Sequence, residues 1–423
     1  EISLGLVGSE MCIRDRVKGF TLVELLAVIV ILAVILVIAV PKITDTIKNS
    51  KIASFESSAK TIAAQSEKKK MENEILENQN PINCNDVVNL NDTDYDSCSI
   101  TFDGNTAKVT LVGKGKFEGL SVINGTKDNA KAEEIKAPVY GNAVNYVKVL
   151  YAYDASSNGL EKDTTSDANI RYVGANPNNY VEFNGETWRI IGVFGSNLKL
   201  VRDDILTDYS FDNKTTAQGI ENNYGTNDWT KSYLRVFLND YYFSGKTITC
   251  HSESATDYVS GLKATNATIT CPSVNKINAT AKNMIEKTTW NLGGLAYNTK
   301  PVNKLYESER GAEVYSGHTT TSSDYIGLIY PSDYVFASTD ESCSQAPYGS
   351  TCKKNNWLFK GVWYWTISPN SSYASAVFSV YSGGRLNGDN ALYRASVRPS
   401  VYLKSDIKIV SGSGTKEDMF KLG

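Results

Sequence analysis

Lys18-Gly19-Phe20-Thr21-Leu22-Val23-Glu24-Leu25-Leu26 opens an apolar run that continues to Val40 and contains a single charge, Glu24. A helix needs about 20 apolar residues to cross the hydrocarbon core of a bilayer, and the run from Phe20 to Val40 meets that length. A buried core helix is rarely apolar all round over such a length. The segment therefore reads as a membrane-spanning helix. No second run of the kind follows, so a single span with one large region on one side is expected. A cleaved secretory signal would need a shorter apolar core with a small-residue cleavage site after it. This run ends instead in Val40-Pro41-Lys42, and Gly19 lies ahead of it. Glu24 is the anomaly, because a carboxylate in lipid costs several kcal/mol unless it is paired or neutralised.

The same nine residues resemble the N-terminal signature of type IV pilins and pseudopilins. The resemblance implies that a membrane peptidase cuts between Gly19 and Phe20, that the new amino-terminal Phe20 is methylated, and that the apolar segment packs the core of a filament. It makes Glu24 the fifth residue of the mature chain and an assembly residue, and it places the helix kink of many members at Pro41. The electrostatics agree. A free amino terminus on a neighbouring subunit is a suitable partner for Glu24 in a low-dielectric bundle, so the carboxylate penalises a lone subunit and favours a docked one. The implied partners are other pilin subunits through the N-terminal helix, a prepilin peptidase/methyltransferase, and the membrane. The implied location is the cytoplasmic membrane as a single-pass protein before assembly and an extracellular surface filament afterwards.

Residues 1–16 lack an initial methionine, and the stretch from Val7 to Arg16 looks like translated sequencing-adapter DNA. They are set aside as a sequence artefact, and residues 17–19 are read as the remnant of a short basic leader. Beyond Pro41 the pattern turns amphipathic, with Ile43, Ile47, Phe55, Ala59 and Ile62 at roughly helical spacing. The spacing predicts a helix over 20–70, kinked at Pro41 because the pattern resumes after it. Ser99–Phe102 and Lys108–Val112 flank Asp103-Gly104-Asn105, a hairpin signal. Residues 71–125 are thus expected to form a small β head, followed by a connector over 126–170 that is interrupted by an apolar stretch at Val144–Tyr151.

Composition shifts near Ile170, and all six tryptophans lie beyond it. Strand-like runs at Tyr180–Phe183, Trp188–Phe194, Leu198–Arg202, Trp363–Ile367, Ala376–Tyr381 and Val397–Leu403, with a helical stretch at Lys231–Leu238, suit one α+β domain over 171–410 and a tail over 411–423. The fold class expected is α+β: a long transmembrane and amphipathic helix with a small β head, then a larger α+β domain. Trp363-Tyr364-Trp365-Thr366-Ile367-Ser368-Pro369, with Ser396-Val397-Arg398-Pro399-Ser400-Val401-Tyr402-Leu403, resembles bacterial extracellular domains of which some are related to C-type-lectin-like folds. The calcium-site tripeptides of sugar-binding lectins, Glu-Pro-Asn and Trp-Asn-Asp, are absent. Asn227-Asp228-Trp229 is a rearrangement of the second.

With Cys12 set aside, the cysteines fall into close pairs: Cys84/Cys98, Cys250/Cys271 and Cys343/Cys352. Six cysteines allow 15 connectivities. Local pairing is the simplest and suits an exported protein, with unpaired buried thiols as the alternative. Asp92, Asp94 and Asp96 alternate with Asp103 at the twelfth position, the spacing of a calcium loop. Ser97 replaces the usual glycine, and a solvated acidic turn closed by Cys98 is the plainer reading. Calcium is the one cofactor considered, and no other is expected. Gly245-Lys246-Thr247 lacks the glycine of a phosphate loop at Asp240, and Gly113-Lys114-Gly115 lacks a third glycine. His251 and His318 are far apart, with no nucleophile elbow. The protein is expected not to be an enzyme.

A net charge of −3 over 423 residues gives no polybasic tail for nucleic acid or lipid headgroups. The expected function is that of a minor or tip pilin-like subunit, since a domain of this size crowds a helical lattice. It would display an adhesive domain toward a surface ligand, glycan or protein. The rivals are a pseudopilin of a DNA-uptake or type II secretion machine, with DNA as partner in the former, and an extracellular enzyme on a pilin-type anchor.

Overall fold

The computed structural model describes residues 22–76, 82–89, 93–134, 140–253, 259–297 and 299–423; the side chains of 22–25, 27–45, 96 and 97 are also outside the description. The fold is α+β, and the chain divides into two compact units, Glu1–Glu134 and Ile135–Gly423.

The first unit is one long helix and one small sheet. Helix α1 (Leu22–Ile75) is 54 residues long, about 80 Å at 1.5 Å per residue. It continues through Pro41, whose missing N–H removes one helical hydrogen bond. It also outruns the end expected at residue 70. Lys69–Glu72 and Lys70–Glu74 form (i, i+3) and (i, i+4) pairs across its last turns, which favours continuation. Strands β1 (Tyr95–Asp103), β2 (Thr106–Gly113), β3 (Leu120–Gly125) and β4 (Ala132–Glu134) form an antiparallel sheet in that order. The expected hairpin is present: Asp103 pairs with Thr106 across Gly104-Asn105, and Gly104 takes the left-handed φ of +58° that such a loop requires. Phe55, Ala59, Ile62 and Ala63 of α1 are buried with Val109, Leu111, Phe117 and Val122. Among the described side chains of the stripe, Ile47 is half exposed, whereas Ile52 packs against the head's core.

The second unit is built on a ten-stranded sheet. Its path runs Ile326–Gly327, Ser400–Tyr402, Asn197–Arg202, Glu186–Phe194, Tyr180–Phe183, Phe420–Leu422, Lys408–Ser411 and Gly141–Asn142, with Leu160–Lys162 and Ile170–Tyr172 paired off it. A five-stranded sheet has the order Thr207–Ser210, Arg394–Val397, Tyr364–Pro369, Ala376–Val380, Leu386–Asn390. The central strands are covered on both faces. Trp188, Ile190, Leu198 and Leu200 join one apolar cluster, while Ile191 and Val201 join another. Such strands lose the polar alternation of a half-exposed sheet.

Two stretches differ from their reading as connector and tail. Residues 143–158 form a helix that buries Val144, Val147 and Leu150, and Asn158-Gly159 ends it through a left-handed Gly159 (φ 66°). The Asn-Gly signal is a helix stop there, not a linker. Residues 132–134 belong to β4, and Leu160–Lys162 pairs with Ile170–Tyr172. Phe420–Leu422 lies parallel to Tyr180–Phe183 with Phe420 fully buried, so the expected tail is part of the sheet. The helix expected at 231–238 is Tyr233–Val236 continued by a wider π-helical turn, Phe237–Phe243.

Candidate functional site

The sequence nominates the N-terminal end of α1. Glu24 and Pro41 lie within α1, their side chains outside the described residues, and Gly19 and Phe20 fall outside the described residues altogether. The span read over 20–40 is in the same position, and among the described residues no helix is long and apolar enough to cross a membrane.

The distal half of α1 is where helix and sheet are joined, and the joint uses carboxylates as well as apolar contact. Glu67 is buried; Oε1 accepts the Ala107 N–H at 3.2 Å and Oε2 pairs with Lys127 at 2.8 Å. The Lys127 hydrogen bond holds the carboxyl below its ordinary value against the opposing effect of burial. Glu56 accepts the Ala132 N–H of β4 at 2.9 Å, Ser58 Oγ meets Tyr95 Oη at 2.7 Å, and Lys70 donates to the Gly104 carbonyl. Phe55 packs on Phe117 at 5.2 Å and on Tyr95 at 6.0 Å. The helix thus binds the hairpin loop, the sheet face and the β4 edge.

The three cysteine pairs are disulfides as expected: Cys84–Cys98, Cys250–Cys271 and Cys343–Cys352. The first ties the one-turn helix Cys84–Val87 to β1. The calcium loop is not formed by its described members. Asp94 pairs with Lys116 at 2.6 Å and Asp103 with Lys108 at 2.7 Å. Strand β1 separates Asp96 from Asp103 by seven residues of extended chain, about 23 Å, where a calcium loop must wrap round its ion. Asp92 and the Asp96 side chain lie outside the described residues. Among the described residues no three His, Cys, Asp or Glu side chains gather to hold a metal ion.

Asn227-Asp228-Trp229 has an internal role. Asn227 Nδ2 donates to the carbonyls of Asn370, Tyr373 and Ala376 at 2.7–3.0 Å, which leaves its Oδ1 to accept from His318 Nδ1 at 2.7 Å. Asp228 caps the turn after it through the Thr230 N–H, and the Trp229 indole N–H donates to Asp324. Lys246 of the phosphate-loop look-alike pairs with Asp240 at 2.7 Å. Five of the six tryptophans are buried and serve the core. The exposed rings of this unit are tyrosines, among them Tyr297 and Tyr373, 5.9 Å apart.

Sequence reasoning passes over a buried chain of charges. Asp163, Arg171, Asp333 and Lys199 alternate in sign: Asp163 Oδ2 to Arg171 Nε is 2.6 Å, Arg171 Nη1 to Asp333 Oδ1 is 2.8 Å, and Lys199 Nζ to Asp333 Oδ2 is 2.6 Å. All four side chains are 2 % exposed or less. Burial draws Lys199 down to about 8, against a single anion. Burial pushes Asp333 up, but Lys199 and Arg171 outweigh it and hold the carboxyl at about 2. A lysine within Leu-Lys-Leu-Val reads as the exposed residue of an alternating strand. Only the second apolar layer puts it inside.

Residues 14–40 match the family of the prokaryotic N-terminal methylation motif. The match begins at Arg14, inside the stretch set aside above. No curated protein and no solved structure matches the chain. By that motif the chain carries a type IV pilin-like prepilin segment, and the motif implies processing by a prepilin peptidase and assembly with other pilins.

Proposed function

We propose that this protein is a minor or tip subunit of a type IV pilus-like filament and that residues 135–423 are its display domain, adhesive toward a surface ligand. In this reading residues 20–40 span the membrane before assembly, and Glu24 pairs there with the amino terminus of a neighbouring subunit. The observation that carries it is the union, in one chain, of a prepilin segment, a helix bound to a small sheet, and a second compact unit with its own core. A subunit repeated throughout a filament has no need of the last. The C-type-lectin-like resemblance of its closing strands stays part of the proposal, as does the absence of enzymatic activity. The three disulfides support an oxidising, exported setting.

The test is mass spectrometry of the protein extracted from membranes and from sheared surface fibres. A chain beginning at methylated Phe20 in both fractions is expected, at low copy number in the fibres. Gly19→Val should block the cut, because a β-branched side chain does not fit a peptidase that accepts glycine. A wild-type chain that still carries Lys18-Gly19 in the fibres would sink the reading.

A further inference from the structure

We propose that Lys199 and Asp333 are joined by a side-chain amide bond that the folded protein makes by itself. The two come from distant parts of the chain. Lys199 lies in the strand Asn197–Arg202 of the large sheet, and Asp333 is in the first turn of the helix Pro331–Phe336, where its Oδ2 also accepts the Tyr330 N–H at 3.0 Å. Both side chains are fully buried, and Nζ stands 2.6 Å from Oδ2, which brings it within attacking distance of Cγ.

In water an ammonium and a carboxylate do not condense, because both are charged and solvated and water competes for the product. Here the rings of Tyr330, Trp290, Tyr402 and Phe194 stand 4.3–5.7 Å from Nζ and exclude water. Burial favours the neutral amine of Lys199 but the two cations keep the resting Asp333 carboxyl ionised, so the reacting form is the minor neutral pair, made by proton transfer along the existing hydrogen bond. Arg171 Nη1–H already points at Oδ1, where negative charge gathers when Cγ becomes tetrahedral, and the Tyr330 N–H holds Oδ2, the oxygen that leaves.

The atoms balance without a co-reactant. The ammonium passes one proton to Oδ2, and its freed lone pair forms the N–C bond. A second N–H proton goes to the same oxygen, the C–O bond breaks, and one water leaves. The charges balance as well. The bond removes one cation and one anion from the buried chain and leaves Asp163 and Arg171 paired with each other at 2.6 Å, so no buried charge is stranded. The product is a covalent tie between a central strand and a helix that a reductant cannot open.

The test needs only the full-length wild-type protein, reduced, alkylated, digested with protease and mapped by mass spectrometry. The expected species joins the peptide of Lys199 to the peptide of Asp333, lighter than their sum by one water and stable to reduction. On a denaturing gel the reduced, uncut wild-type chain should also run ahead of the linear Lys199→Met variant. Recovery of the Lys199 and Asp333 peptides as separate linear species from the wild type would overturn the proposal and leave a buried ion pair. Because that measurement is made on the wild type, failure of the variant to fold does not blunt it.

Discussion

Glu309 shows how far one buried residue sets the pH response of the larger unit. Its carboxylate is fully buried and accepts the Ser332 N–H at 2.8 Å and the Ser332 hydroxyl, with Arg310 Nη1 at 3.2 Å. Burial pushes it up to about 7, although Arg310 and Ser332 pull the other way. A carboxyl whose folded value lies above its unfolded 4.5 holds its proton better when folded. Its contribution to stability is therefore complete below pH 4.5 and lost as the pH rises to about 7. Glu309→Gln should remove that slope, so the variant gains on the wild type between pH 5 and pH 7.5 in denaturant unfolding followed by tryptophan fluorescence. Parallel curves across that window would show that the carboxyl does not titrate there. Gly327 makes a steric prediction at the same scale. A Cβ there would lie 2.6 Å from the buried Trp290 ring, so Gly327→Ala should cost about 1–3 kcal/mol in the same assay. An unchanged unfolding midpoint would mean that the ring has room to move.

At the scale of elements, what the sequence makes legible is local and what it conceals is pairing. The hairpin at Asp103-Gly104-Asn105 announces itself because a tight turn confines its choices to a few adjacent residues, and the close cysteine pairs do the same for the disulfides. Strands two or three residues long carry no period to read, so Leu160–Lys162 and Phe420–Leu422 vanish into a connector and a tail although both are laddered. Lys199 misleads for a related reason. It is polar at an inward position, and only the distant Asp333 explains it. The head offers the cleanest energetic test of an element. Phe55 is its one fully buried ring from α1 and holds Phe117 and Tyr95, so Phe55→Ala should cost the head about 3–5 kcal/mol. Limited proteolysis should then open residues 82–134 while cleavage within 140–423 stays as in the wild type, because that unit has its own core. Equal protection of the head in variant and wild type would mean that the sheet does not depend on the helix.

Over the whole molecule the N-terminal signature is the most legible feature, since run length, an offset charge and a proline are one-dimensional facts, whereas the unit Ile135–Gly423 is defined by contacts between residues far apart in sequence. The proposed role of Glu24 links the two, because it decides whether that unit reaches the surface. A lone subunit in the bilayer holds Glu24 at a cost, and docking offers it the ammonium of a neighbour's Phe20. Glu24→Leu should therefore leave insertion and processing intact. Assembly should fall, because the neighbour's amino terminus is left unpaired in an apolar bundle, and losing one partner of a buried pair costs about 3–5 kcal/mol. Glu24→Gln keeps shape and hydrogen bonding without the charge and should fall between. The readout is the fraction of processed chain in sheared fibres against membranes. Wild-type recovery of Glu24→Leu in fibres, with the cut before Phe20 unchanged, would mean that the carboxylate serves something other than assembly, and that the order of subunits is set instead by apolar packing along α1.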